Sequence, residues 1–548
     1  MASMLSVLKS VLPLNLVHVE KWDVERRTVE RYGEEHELTA IYVHARPFRR
    51  CQCQCPVCGE KCARNGHRKD VESTWRAPDL NGVPVYIKYR PQRIRCPEHG
   101  DLNEWMPWTD GASRFTEDFN NEVAWLACRM SKSAIATFLR IDWRTVGSCL
   151  KAAHDRLEPD VEDRVHCGLR RICVDETSYS RGHRYVTVVY DMDRNRVVWV
   201  HDRHGKKVFE RFCRLLTEEE RAAVRVVAGD GARWIDECVE EYFGNATRCV
   251  DFFHVVGWAN DALDDVRVAT AARVRREHDR LLREFRDEEA EEARLREGEA
   301  TALAEARAEL AAMPVRGRPS KRKLELRAYI AELEATLAGH GGGPGARRGP
   351  GRTGRDALSP EHQAALDELE RRRKAIKGAR HALGHAPENR TANQDQMVAL
   401  IEAEQPDLWR AFQLKERLRL VLHMRDADEA AAQLDEWMAD ASSCGMGPME
   451  RLAGKIGRHR ENIVNAVRLQ ANSSKSESCN TTIKALIKVA RGFRNLDNMM
   501  ALIYLRCSDI VVPLHNRIQP SAEYQRVSLA MATARRRNKE ERMQARTA

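Results

Sequence analysis

Two aspartates close apolar runs in a way that suits metal-assisted chemistry. RRICVDETSYS (170–180) carries Asp175 and Glu176 at the end of a β-type run, and AVRVVAGDGARW (223–234) ends in Asp230 between two glycines. Carboxylate oxygens are the natural ligands of hard divalent cations. Two such ions, about 3.5–4 Å apart, clamp the attacking and leaving oxygens in an in-line displacement at a phosphodiester. At least one acid must then bridge the ions while others hold each from the side. A lone strand-end aspartate more often caps the next helix. Asp175 and Asp230 stand out because both close buried β runs in compatible topology. Asp191 and Asp193 read as turn residues and Asp236 as exposed.

A second chemistry lies nearer the start. Six of the 16 cysteines (Cys51, Cys53, Cys55, Cys58, Cys62 and Cys96) fall in one short window. CPVCG (55–59) and CPEHG (96–100) repeat one knuckle form and offer Cys55, Cys58, Cys96 and His99. Three thiolates and an imidazole make a tetrahedral Zn²⁺ site. Cys51, Cys53, Cys62 and His67 are spare ligands, so the fourth position stays open. Between the knuckles, VPVYIKYRPQRIR (83–95) interleaves Tyr86 and Tyr89 with Lys88, Arg90, Arg93 and Arg95. Read as one zinc-stapled hairpin, its edge would present these cations to phosphates.

The elements that must position these groups follow from pattern. The strand bearing Asp175 is followed by HRYVTVVYDMD (183–193) and RVVWVHD (196–202), then a helix through KKVFERFCRLL (206–216) and the Asp230 strand. Three strands in quick succession, the first carrying an acid, match the opening meander of a ribonuclease H-like sheet. Its fourth strand lies beside the first, so Asp175 and Asp230 converge. Upstream, apolar stripes at Phe119, Val123, Leu126 and Ala127, at Ile135, Ala136 and Leu139, and at Val146, Cys149 and Leu150 mark three short helices. A tight break at 140–142 fits a helix-turn-helix with Trp143–His154 as recognition helix, offering Arg144 and Lys151 to DNA. The stretch 262–312 is rich in Ala, Arg, Glu and Leu and reads as an exposed helix or helical hairpin. A Gly/Arg-rich loop at 340–356 interrupts the helical middle.

The chain has 548 residues, 43% of them hydrophobic, and divides into several domains on length alone. Its net charge of +9 is concentrated at Lys88–Arg95, Arg347–Arg355 and Arg535–Arg546, which favours a polyanionic partner. No run of about 18 apolar residues reads as a membrane span, and no leader or cleavage site stands out. The expected location is the bacterial cytoplasm, where thiols stay reduced.

These motifs, in this order, resemble the ISL-three family of bacterial insertion-sequence transposases. The resemblance rests on the CPVCG knuckle, VDE at 174–176, GDG at 229–231, VDFFHVV at 250–256 and ANSSKSESCNTTIKALIKVARGFRNLDN at 471–498. In the last block Glu477, Asn480, Ile483, Lys484, Gly492, Phe493, Arg494 and Asn495 match the signature, while Ser473, Ser478 and Cys479 depart from it. The resemblance implies a DDE triad of Asp175, Asp230 and Glu477 with two Mg²⁺ (or Mn²⁺) ions. It also implies supporting roles for Asp251 and His254, and Lys484 and Arg494 facing DNA. Spacings of 230 − 175 = 55 and 477 − 230 = 247 positions imply a helical domain spliced into the nuclease fold.

The expected architecture is a zinc-binding module (1–110), a helix-turn-helix (111–165), a mixed five-stranded α/β ribonuclease H-like core (166–262), an all-α insertion (263–465), the core's acidic helix (466–512) and a basic tail (513–548). The expected partners are double-stranded DNA at transposon ends and targets, and further copies of the chain. A domesticated DNA-binding regulator and a structure-specific nuclease on the same sheet are the alternatives from other classes.

Overall fold

Alternating Val, Ile and Tyr in the first hundred residues build strands, and the apolar stripes that follow build helices. The computed structural model describes residues 16–31, 34–67, 72–109, 113–158, 161–180, 184–313, 320–339, 358–471, 474–490 and 495–515, with Leu12, Gly182 and Phe493. Within these, the side chains at 27, 29, 31, 36, 67, 339 and 474–477 are not described. The Gly/Arg loop 340–356, Arg494 and the tail from 516 lie outside the described residues. The chain forms two compact units, Met1–His254 with Glu461–Ala548, and Val255–Arg460. Among the described residues, no helix is long and apolar enough to cross a membrane.

The strands of the first hundred residues are β1 (Val17–Arg31), β2 (Glu34–Pro47), β3 (Ala63–His67), β4 (Ser73–Leu80), β5 (Val83–Tyr89), β6 (Gln92–Cys96) and β7 (Gly100–Asn103). They form a four-stranded sheet in the order β1-β2-β5-β4 and a three-stranded sheet in the order β3-β6-β7. The 83–95 segment is therefore not one zinc-stapled hairpin. It breaks at Arg90–Pro91, where proline supplies no N–H to a ladder, and its halves join different sheets. Glu104, almost fully buried, ties the two sheets together. It accepts from the Tyr89 hydroxyl at 2.6 Å and from the amides of Cys53 and Gln92 at 2.7 Å.

Three helices follow: α1 (Glu117–Ala127), α2 (Lys132–Leu139) and α3 (Trp143–Leu157). Their N-caps are Thr116, Ser131 and Asp142, each accepting from an amide of the first turn. Arg140, at φ 55°, makes the left-handed turn between α2 and α3.

The central sheet is mixed and has five strands: β8 (Arg171–Ser180), β9 (Arg184–Asp191), β10 (Arg196–Asp202), β11 (Val226–Gly229) and β12 (Thr247–Val250). Its order is β10-β9-β8-β11-β12. β8, β9 and β10 meander antiparallel, whereas β8, β11 and β12 run parallel. Strand β8 does not end at Asp175. It continues beside β9 to Ser180, and only its pairing with β11 stops at Val174. Between these strands lie α4 (Lys206–Leu215), α5 (Glu218–Ala223) and α6 (Arg233–Tyr242).

Helix α7 (Phe252–Ala312) starts directly after β12 and spans about 90 Å at 1.5 Å per residue. The rest of the second unit comprises α8 (Lys321–Gly339), α9 (Pro360–Gly378), α10 (Arg380–Gly384), α11 (Ala392–Glu404), α12 (Pro406–Val421), α13 (Ala427–Ser442) and α14 (Gly447–Arg458). The far end of α7 and α8 form a hairpin around Ala306, Leu326 and Ile330. The chain re-enters the first unit through α15 (Arg460–Arg468), α16 (Ser474–Ala490) and α17 (Leu496–Cys507).

Both faces of the central sheet are covered. Ile172, Val174, Val189, Val198 and Val227 pack with Phe209 and Phe212 of α4 and Ile235 of α6. Cys173, Val186, Val188, Ala228 and Cys249 pack with Cys479 and Ile483 of α16 and Met499 and Ile503 of α17. At Gly229 the sheet leaves no room for a side chain, since a Cβ there would lie 2.9 Å from Ile235 Cδ1 and 3.0 Å from the Val174 carbonyl oxygen. Gly229→Val is expected to cost about 1–3 kcal/mol through overpacking, read as a lowered midpoint in denaturant unfolding; an unchanged midpoint would show that the strands part freely.

Candidate functional site

The parallel strands bring three aspartates to one level. Val174 pairs with Gly229 and Gly229 with Val250, so Asp175, Asp230 and Asp251 are each the next residue beyond a shared rung. Side chains alternate along a strand with period two. Cys173, Ala228 and Cys249 all belong to the core beneath α16 and α17. Two residues on, the three aspartates therefore share that face. The signal that marked Asp175 and Asp230 also marks Asp251.

The covering helix reaches this row directly. The Asn480 amide on α16 donates to Asp175 Oδ2, and His254 Nε2 lies 3.7 Å from Asp175 Oδ1. Burial disfavours a charge on His254, but the neighbouring carboxylate of Asp175, with the charges of Asp251 and Asp230, outweighs this and raises its pKa. Asp251 is buried and caps α7, accepting from the Phe253 amide at 2.9 Å. Asp230 accepts from the Ala232 amide at 3.0 Å, and Arg248 binds its carbonyl. Glu477 lies on α16, three positions before Asn480; its side chain is outside the described residues.

Glu176 points to the opposite face, where it accepts from the Gly205 amide at 2.7 Å at the start of α4. Burial pushes its carboxyl above the ordinary range, Asp230 and Asp175 adding to the effect against that hydrogen bond. It holds the residue that precedes α4 and does not face the row of aspartates. Asp236 is not exposed as expected, because Arg248 Nε donates to it at 2.8 Å. Asp191 is fully buried and holds its turn by accepting from the amides of Asp193 and Arg194. Sequence reasoning gave Asn480 no chemistry, although it lies within the matched block and one helical turn beyond Glu477.

The metal centre in the small sheet has ligand geometry. One ligand atom from each of Cys55, Cys58, Cys96 and His99 lies within 4.8 Å of the others. Cys58 Sγ is 3.8 Å from Cys96 Sγ, and His99 Nδ1 is 3.8 Å from Cys55 Sγ and 3.5 Å from Cys96 Sγ. Corners of a tetrahedron about 2.3 Å from its centre stand about 3.8 Å apart, which is the thiolate geometry of zinc. Gly59 and Gly100, at φ 75° and 73°, make the left-handed turns that close the two knuckles. Of the spare ligands, Cys62 donates to the Glu60 carbonyl, Cys51 and Cys53 are buried outside the set, and the His67 side chain lies outside the described residues.

The cations expected at DNA are differently placed. Lys88 is spent inside the protein, over the Tyr42 ring at 3.9 Å and 3.2 Å from Glu25. Tyr86 stacks on Tyr42. Arg90 is half-buried, Arg93 is exposed, and Arg95 is exposed but paired with Asp101 at 3.1 Å. Arg144 and Lys151 are exposed on α3, with Lys151 2.8 Å from Asp155. They line a cavity of about 670 Å³ together with Lys132, Trp143, Ser148 and, at its other wall, Val489 and Asn495. Lys484 is exposed on α16. Cys96→Ser is expected to reduce bound zinc from about one ion per chain to none, measured by elemental analysis of the purified protein; full zinc retention would reassign the ligand.

Family models match three stretches of the chain. The family model for the ISL3 DDE domain, described as "Transposase", matches residues 172–309 and 355–503. The "Helix-turn-helix domain of transposase family ISL3" matches 106–154, and the "zinc-finger of transposase IS204/IS1001/IS1096/IS1165" matches 51–99. The transposase for insertion sequence element IS1557 of Mycobacterium tuberculosis is 32% identical over 489 residues, covering 88% of this chain and 93% of the relative. The transposase for insertion sequence element IS1001 of Bordetella parapertussis is 25% identical over 225 residues, 41% of this chain and 54% of that relative. Models of a zinc finger, a helix-turn-helix and a DDE domain from one transposase family thus match in order along a single chain, and the chain belongs to the ISL3 family of insertion-sequence transposases.

Proposed function

We propose that the chain cuts the ends of its insertion sequence and joins them to target DNA, with Asp175, Asp230 and Glu477 as the active carboxylates of a ribonuclease H-like core. The observation that carries this reading is the shared rung, with α16 lying over it and Asn480 touching Asp175. Its donors are hard carboxylate oxygens, the set Mg²⁺ or Mn²⁺ prefers. When bound by these acids, two such ions supply Lewis acidity at the attacking and leaving oxygens. The Asn480 amide donates to Oδ2 of Asp175 and the Glu176 backbone amide to Oδ1 at 2.7 Å, which fixes the plane of the carboxylate, with the His254 imidazole beside it. Asp251 is a positioning residue that sets the first turn of α7 and thereby His254. Water attacks the phosphodiester at each end, and the freed 3′-hydroxyl then attacks the target strand.

The helix-turn-helix reads the terminal repeats through α3, with Arg144 and Lys151 at phosphates and the zinc module adding Arg93 and Arg95. Lys484 and Arg494 meet the backbone beside the acidic helix. Arg90 and Lys88 contribute chiefly to the fold of the N-terminal sheets. Two ends must be held together, so the working form is a dimer or larger assembly in the cytoplasm.

Asp230→Asn and Glu477→Gln are expected to slow Mg²⁺-dependent cleavage of a duplex carrying the element's terminal repeat by at least about 100-fold. Binding of that duplex should change by no more than about twofold. Arg144→Ala should weaken binding and lower the slope of log affinity against log salt by about one. Retained cleavage in either acid variant would remove the triad, and preferred cutting of junctions or RNA would point to a structure-specific nuclease.

A further inference from the structure

The segment Asp251–His254 places two phenylalanines beside the acidic row, and the proposed chemistry uses neither. Phe252 packs inward against the core beneath α16 and α17. Phe253, the next residue, is 49% exposed, a large apolar ring held in water one position before His254. It is firmly rooted. Its amide donates to Asp251 Oδ1 at 2.9 Å in the first turn of α7. Its ring meets the His254 imidazole edge-on, with centroids 5.9 Å apart and planes at 79°. His254 in turn stands 3.7 Å from Asp175 Oδ1. Two links thus connect an exposed aromatic face to the first acid of the row.

Enzymes that do chemistry on a base take that base out of the stack at a cost of a few kcal/mol, and a strand-cutting enzyme that opens the pair beside its acids meets the same cost. An unstacked base needs a replacement surface, and an aromatic ring provides one for any base because every base has a π face. Phe253 carries no hydrogen-bonding group, so a contact through it is blind to sequence. We propose that Phe253 is a positioning residue that stacks on the nucleobase adjoining the cleaved phosphodiester and holds that base out of the duplex.

This inference rests on the proposed cleavage reaction, so its test has one arm that does not require cutting. The full-length protein is given the terminal-repeat duplex with 2-aminopurine at the nucleotide next to the cleaved bond. Binding by the wild type is expected to change the fluorescence of that base, and binding by Phe253→Ala is expected not to. Equal signals from the two proteins would overturn the proposal whether or not either one cuts. Where the wild type cuts, Phe253→Ala should cleave the paired duplex about 10- to 100-fold more slowly. A mismatch at the flanking pair should restore its rate to within about threefold of wild type, because the cost of opening has been removed. Phe253→Tyr and Phe253→Trp should keep the wild-type rate and Phe253→Leu should not. Absence of mismatch rescue, or a leucine variant equal to the tyrosine variant, would reduce Phe253 to a packing residue. Unchanged zinc content and thermal midpoint exclude misfolding as the cause.

Discussion

The parallel pairing of β8, β11 and β12 depends on a residue without a side chain. Gly229 sits between Val174 and Val250, and a Cβ there would press on the Val174 carbonyl oxygen and on Ile235. Glycine is entropically unfavourable in a strand. Here that cost is offset by a close approach that no other residue permits. With the rung closed, Asp175, Asp230 and Asp251 emerge in register. A slip by one position would turn them to the opposite face, toward α4 and α6.

The covering layers explain how a residue some 250 positions downstream comes to this row. Cys479 and Ile483 on α16, with Met499 and Ile503 on α17, are buried on the same face as Cys173, Ala228 and Cys249. Fully burying one aliphatic side chain of this size contributes about 1.5–3 kcal/mol, so the helix pair is held by packing before any polar contact is made. Asn480 then adds its hydrogen bond to Asp175. The second unit between His254 and Glu461 can be long because α7 and α15 leave and re-enter the same core, and closing a longer loop costs only slowly more entropy.

What the sequence showed depended on whether a residue's neighbours in space were also its neighbours in the chain. The knuckles CPVCG and CPEHG were readable because each turn is local, down to the glycines at positive φ. The break at Arg140 and the stripes of α1–α3 were readable for the same reason. Asp175 and Asp230 were legible as strand-associated acids, and Glu176 was not separable from Asp175 until alternation assigned them to opposite faces. The 83–95 segment misled because its cations and tyrosines share a sequence pattern but not a sheet. Lys88 lies over Tyr42 and beside Glu25, partners more than forty positions away. Asn480 and Glu104 gave no local signal, since their roles come from contacts hundreds or tens of positions distant. The importance of Glu477 came from family resemblance, because no periodicity distinguishes it from other helical glutamates.

The helix-turn-helix is not a separate bead on this chain. Helices α1–α3 run from 117 to 157, a length at which a domain rarely builds a sufficient core alone. Phe119, Ile135, Leu139 and Leu150 complete theirs with Ala501, Leu502 and Leu505 of α17. With its amide turned so that the nitrogen faces the Gly147 carbonyl, Asn498 donates to that carbonyl at 3.0 Å and accepts from Lys132 Nζ at 3.0 Å. Helix α17 therefore has one side in the core of the sheet and the other in the core of the helix-turn-helix. Under the proposed function, force from DNA bound at α3 reaches the layer that also carries α16 without crossing a flexible linker. On that reading recognition and chemistry are joined by packing, since Arg144 and the acidic row belong to one compact unit.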